Sequence, residues 1–419
     1  MIGRMRRREL LLTLPAAAFA KAGKMPITGI EIWRFDGTRQ AETGINAQGQ
    51  VNPLHVYDEL RPKPYRDESP GTREAAVSSI YLRIAAGDAE GWYGPVDREA
   101  AIVIDNQLRT FLTGKDALAV ETLWDQMHRL NRHSRRGHFM MAISAIDNAL
   151  WDLRGRVFGA PVYRLLGGPS RAKAEAYGSC LGYSVEPERL GPRAKALKEA
   201  GFRHQKWFMP YGPGSGAEGL RKNVEMVRLL REAVGDDVSL MFDAFMGWEL
   251  NYALDWAKQV ERYRPRWIEE AFAPDKIQSF AALRRATSIP VASGEHFYGR
   301  WEVQDYLRAD ALNVVQADPE WCGGTSELVK IATICSAHDV NLIPHGHNIH
   351  AALHVVASQS PMTCPLVEFL ILKMGSYYHF LKNPPVVESG FLALSEAPGF
   401  GFEFDEAKIQ KRTLLKLSF

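Results

Sequence analysis

The second half of the chain repeats one structural unit. Short apolar runs at residues 205–209, 238–242, 266–268, 290–292, 311–315, 341–343 and 365–367 alternate with helix-patterned stretches such as 217–234, 253–263 and 326–338. Strands that alternate with helices pair in parallel. Seven or eight such units over roughly 200 residues favour a closed (β/α) barrel over an open sheet. The expected fold class is therefore α/β.

An ionisable residue falls within three residues of the end of six of these runs: Asp243, Glu269, Glu295, Asp318, His345 and Glu368. The intervals are 26, 26, 23, 27 and 23 residues, about one βα unit each. One acid after a strand would mean little, since helix N-caps favour Asp there. Six in register mean more, because all strand C-termini of such a barrel open onto one face, where catalytic residues collect.

Asp243, Glu269 and Glu295 would set three carboxylates around one point. Uncompensated, they repel one another and take up protons; a hard divalent cation resolves the conflict, and an all-oxygen site suits Mg2+. Glu270 is the rival middle ligand. Successive strand residues face opposite ways, so one of the pair is expected to point inward, and the even spacing favours Glu269. Asp318 and His345 end consecutive strands, which brings a carboxylate within reach of an imidazole and suits a general base. His296, directly after the third ligand, is a candidate second acid.

Composition narrows the classes. With 51 Lys+Arg against 49 Asp+Glu the chain is nearly neutral, which argues against nucleic-acid and polybasic membrane partners. Hydrophobic residues make up 46%, enough for a large core. The four cysteines include no CxxC pair, so neither a disulfide scaffold nor a zinc ribbon is supported. At the N-terminus, Arg6, Arg7 and Arg8 precede an apolar run ending in Ala18, Phe19 and Ala20. This reads either as a twin-arginine-like leader for export to the periplasm or as the frayed start of a cytoplasmic enzyme. Residues 27–33 and 78–84 are strand-like, residues 34–72 read as a long loop, and residues 97–160 are helical, with Ile143, Ile146, Leu150 and Leu153 on one stripe.

Three stretches carry a family resemblance. Residues 142–155, AISAIDNALWDLRG, resemble a signature helix of the enolase superfamily in its mandelate racemase-like branch, and residues 159–168, GAPVYRLLGG, resemble the stretch that leads into its barrel. Residues 398–405, PGFGFEFD, are similar to its closing segment. The resemblance implies a (β/α)7β modified TIM barrel (166–384) with an α+β capping domain (25–165) that a C-terminal segment (385–419) rejoins, after a leader-like or disordered stretch (1–24). It also implies that Asp243, Glu269 and Glu295 are Mg2+ ligands, that Asp318 and His345 form a dyad, and that Glu368 hydrogen-bonds the substrate.

Within that branch, SGEH at 293–296, WCGGT at 321–325 and PHG at 344–346 are most similar to rhamnonate dehydratases and related acid-sugar dehydratases. The implied reaction is Mg2+-dependent dehydration of a sugar acid to a 2-keto-3-deoxy acid, with His345 taking the C2 proton to form an enediolate. Lys206 and Glu368 would hold substrate or stabilise charge, and His55, in the early loop, is a candidate lid contact. The family's second-strand Lys-x-Lys reads Lys206-Trp207-Phe208, which weakens racemisation, and its Glu-Glu-Pro reads Glu269-Glu270-Ala271. A racemase, epimerase or cycloisomerase on the same scaffold and a non-catalytic sugar-acid binder are the alternatives. Besides the sugar acid, the expected partners are further copies of the chain in a homo-oligomer.

Three motifs are read as decoys. Gly214, Gly216 and Gly219 match GxGxxG between a strand and a helix, but the motif alone is weak. His345, His347, His350 and His354 suggest zinc through His-x-His, yet helical spacing makes the last three wall or core contacts. The basic run around Arg135 and Arg136 reads as a solvated loop.

Overall fold

The computed structural model describes residues 23–62 and 66–417, so the leader-like run before Gly23 lies outside the described residues. Strand β1 (Ile27–Thr43) pairs antiparallel with β2 (Gly71–Ala86), from Ile27 opposite Ala86 to Thr43 opposite Gly71. Strand β3 (Ala89–Tyr93) follows through a tight turn at Gly87, which takes φ +56°. The ladder corrects the expectation that residues 34–72 form one loop, because the strand runs on to Thr43. Beyond Phe35 the buried positions are the small Gly37 and Ala41, so the apolar period-two signal fades while the backbone pairing continues.

Helix Gly137–Phe158 covers this sheet, and Ile143, Ile146, Leu150 and Leu153 are all buried. Its backbone touches β3 directly: a Cβ on Gly91 would collide with the Ala149 carbonyl. The helix's polar residues reach the other way. Asn148 Oδ1 accepts from the Thr325 N–H and hydroxyl at 2.8 Å each, Asn148 Nδ2 donates to Pro319 O at 3.0 Å, and Gly323 N–H donates to Ser144 Oγ at 2.9 Å. Asp147 accepts from Ser326 N–H at 2.9 Å.

Eight parallel strands follow: β4 (Lys173–Ser179), β5 (His204–Phe208), β6 (Ser239–Asp243), β7 (Trp267–Glu269), β8 (Val291–Ser293), β9 (Val314–Val315), β10 (Asn341–Leu342) and β11 (Val367–Leu370). Each pairs with the next from β4 to β10, and β11 pairs back onto β4. Leu342 N–H donates to Thr363 O at 2.9 Å, closing the cylinder. Strand β4 is absent from the apolar runs read off the sequence; Tyr177 is its one large apolar residue among Ala, Gly, Ser and charged positions. A hairpin of β12 (Val387–Glu388) and β13 (Phe391–Ala393) adds to β4, and β14 (Lys411–Leu414) returns to β1. Among the described residues no helix is long and apolar enough to cross a membrane.

The GxGxxG loop is a short turn at Pro213–Ser215 leading into helix Gly216–Val234, inside one barrel unit. His350 and His354, on helix Ile349–Ser358, are core residues whose rings lie 4.4 Å from Phe402 and 5.1 Å from Phe400. Burial pushes both imidazoles down to about 3. Below pH ~6.5 the unfolded chain therefore binds a proton at each position that the folded chain refuses until pH ~3, so acid favours unfolding in that window. His350→Phe should flatten the fall of stability between pH 6.5 and 4.5 by about 1.4 kcal/mol per pH unit in urea titrations. An unchanged slope would show that the wild-type imidazole is already protonated in the fold.

Candidate active site

The barrel interior sets the site by strand period. Tyr177, Met241, Trp267, Ala292, Val314, Ile343 and Leu366 form one buried layer across the cylinder. Two residues further along a strand the side chain returns to the same face, which places Asp243 above Met241, Glu269 above Trp267, His345 above Ile343 and Glu368 above Leu366. An apolar plug thus carries a polar ring at the C-terminal rim. Segment 44–62 lies over that rim, with Val51 N–H donating to Met209 O at 2.8 Å.

Lys206, on β5, rises into the same ring and is 1% exposed. Its Nζ pairs with Glu269, with Glu368 at 2.8 Å and with Asp243 at 3.2 Å. Burial disfavours this ammonium, but Glu269 and Glu368 outweigh burial and hold its pKa well above the usual lysine range. Burial raises the pKa of Asp243, of Glu269 (to about 8) and, well above the ordinary range, of Glu295, where the neighbouring Glu270 adds to the rise. For Glu368, burial is outweighed by Lys206 and His345, and its pKa is held at about 2.

Asp243, Glu269 and Glu295 present oxygens that all lie within 4.8 Å of one another. Three buried carboxylates whose protonation is favoured by burial and, less, by crowding, with hard oxygen donors converging on one point, fit a divalent cation such as Mg2+. Glu270, Glu295 and His296 meet the same distance criterion.

The expectation that only one of Glu269 and Glu270 points inward is corrected here. Both are buried at the rim: Glu269 Oε2 accepts from Trp267 Nε1 at 2.8 Å, while Glu270 Oε1 lies 2.9 Å from His296 Nδ1. Glu270 sits just past the strand with φ +44°, in the left-handed region, so strand alternation no longer governs its direction.

The remaining residues form a cluster. His345 Nδ1 lies 2.6 Å from Asp318 Oδ2, and its Nε2 is 3.7 Å from Glu295 and 4.0 Å from Glu368. Since a carboxylate accepts, Nδ1 carries the hydrogen and Nε2 faces the ring of acids. Trp321 packs against three imidazoles, with ring centroids 5.3 Å from His296, 5.2 Å from His345 and 4.9 Å from His347. Sequence reading named His347 among wall or core contacts but did not single out roles for Trp321, Lys373, Asp97 and Glu320, which complete this wall with it. Trp321 lies inside the motif at 321–325, but the cap contributes Asp97 through tertiary contacts alone.

The structure does not join His55 to this cluster. Its ring is bound to Asn52, with Nε2 3.0 Å from Asn52 Nδ2, and Arg61 Nε donates to its carbonyl at 2.8 Å.

Residues 190–408 match the enolase C-terminal domain-like family, and residues 72–167 match the mandelate racemase / muconate lactonizing enzyme N-terminal domain family. The chain belongs to the enolase superfamily. It is 34% identical over 366 residues to L-rhamnonate dehydratase of Saccharopolyspora erythraea, covering 84% of this chain and 88% of that protein. The crystal structure of L-rhamnonate dehydratase from Gibberella zeae superposes with a TM-score of 0.79 at 28% identity, over 94% of this chain and 97% of that one. That enzyme has also been solved complexed with Mg. The 3,6-anhydro-D-galactonate cycloisomerase from Zobellia galactanivorans has a TM-score of 0.73 at 28% identity, over 92% of this chain and 98% of that one. The superfamily fold, a barrel with a capping domain, is the fold described above.

The charge balance makes a testable statement. Lys206→Met should destabilise the protein in EDTA by about 3–5 kcal/mol, the cost of leaving buried charge unpaired. Millimolar Mg2+ should recover much of that loss in thermal unfolding. Equal melting temperatures for both proteins in EDTA would contradict the balance.

Proposed function

We propose that the chain is an Mg2+-dependent acid-sugar dehydratase, which converts an aldonate or aldarate to its 2-keto-3-deoxy acid. The observation that carries this reading is the buried Asp318–His345 pair, 2.6 Å apart, with Nε2 turned toward the Asp243, Glu269 and Glu295 set. Those three carboxylates would hold Mg2+, which when bound supplies Lewis-acid stabilisation of the negative charge that develops on the substrate carboxylate. The family membership, the L-rhamnonate dehydratase relatives and the neighbour complexed with Mg support the reading.

His345 Nε2 takes the C2 proton, and Asp318 fixes the tautomer and stabilises the imidazolium that forms. The electron pair left at C2 makes the substrate enediolate, whose collapse breaks the C3–O bond. The departing hydroxyl takes a proton from the His345 imidazolium or from His296, and water leaves. The enol then tautomerises to the 2-keto-3-deoxy acid. Lys206 and Glu368, locked together in the ring, position the carboxylate end of the substrate.

A racemase needs a base on each face of C2. Phe208 takes the second inward position of β5, and its ring lies 5.2 Å from Lys206 Nζ. Lys206 itself is tied to three carboxylates, so the structure favours one base, His345.

The test is a screen of aldonic and aldaric acids with Mg2+, read as 2-keto-3-deoxy product. At least one acid should be turned over, with loss of turnover in EDTA. His345→Asn should lower kcat by about 10³-fold or more while Mg2+ binding, read by calorimetry, stays within about twofold. Isomerised product without water loss would move the assignment to a cycloisomerase or epimerase.

A further inference from the structure

Lys373 lies on helix Ile371–Tyr377, directly after β11. Its Nζ contacts His347 Nδ1 at 2.6 Å and donates to His347 O at 3.0 Å, and it stands 4.3 Å from the centre of the Tyr377 ring. His347 packs against Trp321, which packs against His345, so Lys373 is one side chain beyond the dyad histidine.

Its charge has no carboxylate partner among the described residues. Lys206 pairs with three carboxylates and Arg61 with Asp58, whereas among the described residues no carboxylate oxygen lies within 4.0 Å of Lys373 Nζ. Burial pulls this ammonium down to about 8, against the pull of Asp318, Asp97, Glu320 and Glu368 at longer range. Taking an ammonium out of water without a counter-charge is costly, and a ligand oxygen is the group that would offset it. The position also says which end of the ligand. Lys206, Glu368 and the three-carboxylate set hold the reacting end on one side of His345, and Lys373 stands on the His347 side, where the carbons beyond C3 would extend.

We propose that Lys373 is a specificity-determining residue that binds the oxygen atoms of the substrate tail, C4 to C6, as distal hydroxyls or a distal carboxylate. This rests on the sugar-acid dehydratase reading.

The test compares wild type with Lys373→Met and Lys373→Arg on six-carbon aldonates and aldarates, with a four-carbon aldonate as competitive inhibitor. In Lys373→Met, KM for the six-carbon acids should rise about tenfold to a hundredfold with kcat changed less than about threefold. The Ki of the four-carbon acid, which lacks the tail, should stay within about twofold, and Lys373→Arg should recover most of the KM. A larger loss with aldarates assigns a carboxylate partner, and equal losses assign hydroxyls. Equal factors for long and short acids, or no change in KM, would overturn the proposal while leaving the dehydratase reading intact. Should Lys373→Met fold poorly by circular dichroism, Lys373→Gln carries the same comparison. A wild-type enzyme that turns over no sugar acid would overturn the parent reading and this one with it.

Discussion

The site depends on how charge is balanced in the dry mouth of the barrel. Asp243, Glu269, Glu295 and Glu368 are all nearly inaccessible, and one ammonium, Lys206, lies among them. A low-dielectric cavity makes each like-charge contact expensive and each opposite-charge contact strong. Lys206 holds Glu368 ionised, while Asp243, Glu269 and Glu295 are drawn toward protonation. That residual demand for positive charge is what a dication would answer, and one of the carboxylates that carries it, Glu295, lies 3.7 Å from His345 Nε2.

The cap does more than cover the barrel. Helix Gly137–Phe158 grips the segment that carries Asp318 and Trp321 through Ser144 and Asn148, which bond Gly323, Pro319 and Thr325. Asp152 of the same helix accepts from the N–H groups of Trp92 and Phe400, in the cap sheet and the C-terminal segment. The dyad carboxylate is therefore positioned by a helix from outside the barrel. The polar letters of AISAIDNALWDLRG serve that purpose, since an apolar stripe alone would pack the helix without fixing its neighbours' backbones.

Much of this was legible in the sequence because a parallel barrel converts chain spacing into position on one rim. Asp243, Glu269, His345 and Glu368 follow the strands at near-constant intervals, and the period of two sets each above an interior residue. What was hidden lies where that periodicity stops. Glu270 turns inward through a left-handed backbone that alternation does not describe. Strand β4 lacks a run of large apolar residues, and the far half of β1 pairs through polar positions. Asp97 meets His347 and Lys373 only through tertiary folding, since it comes from the cap while the other two follow neighbouring barrel strands.

Two sets of side chains share Glu295, one with Asp243 and Glu269 and the other with Glu270 and His296. The most direct measurement is anomalous diffraction from crystals grown with Mn2+ in place of Mg2+. The account predicts one strong peak bounded by oxygens of Asp243, Glu269 and Glu295, with His296 still bonded to Glu270. A peak centred between Glu270 and His296, or no peak at the barrel mouth, would contradict it.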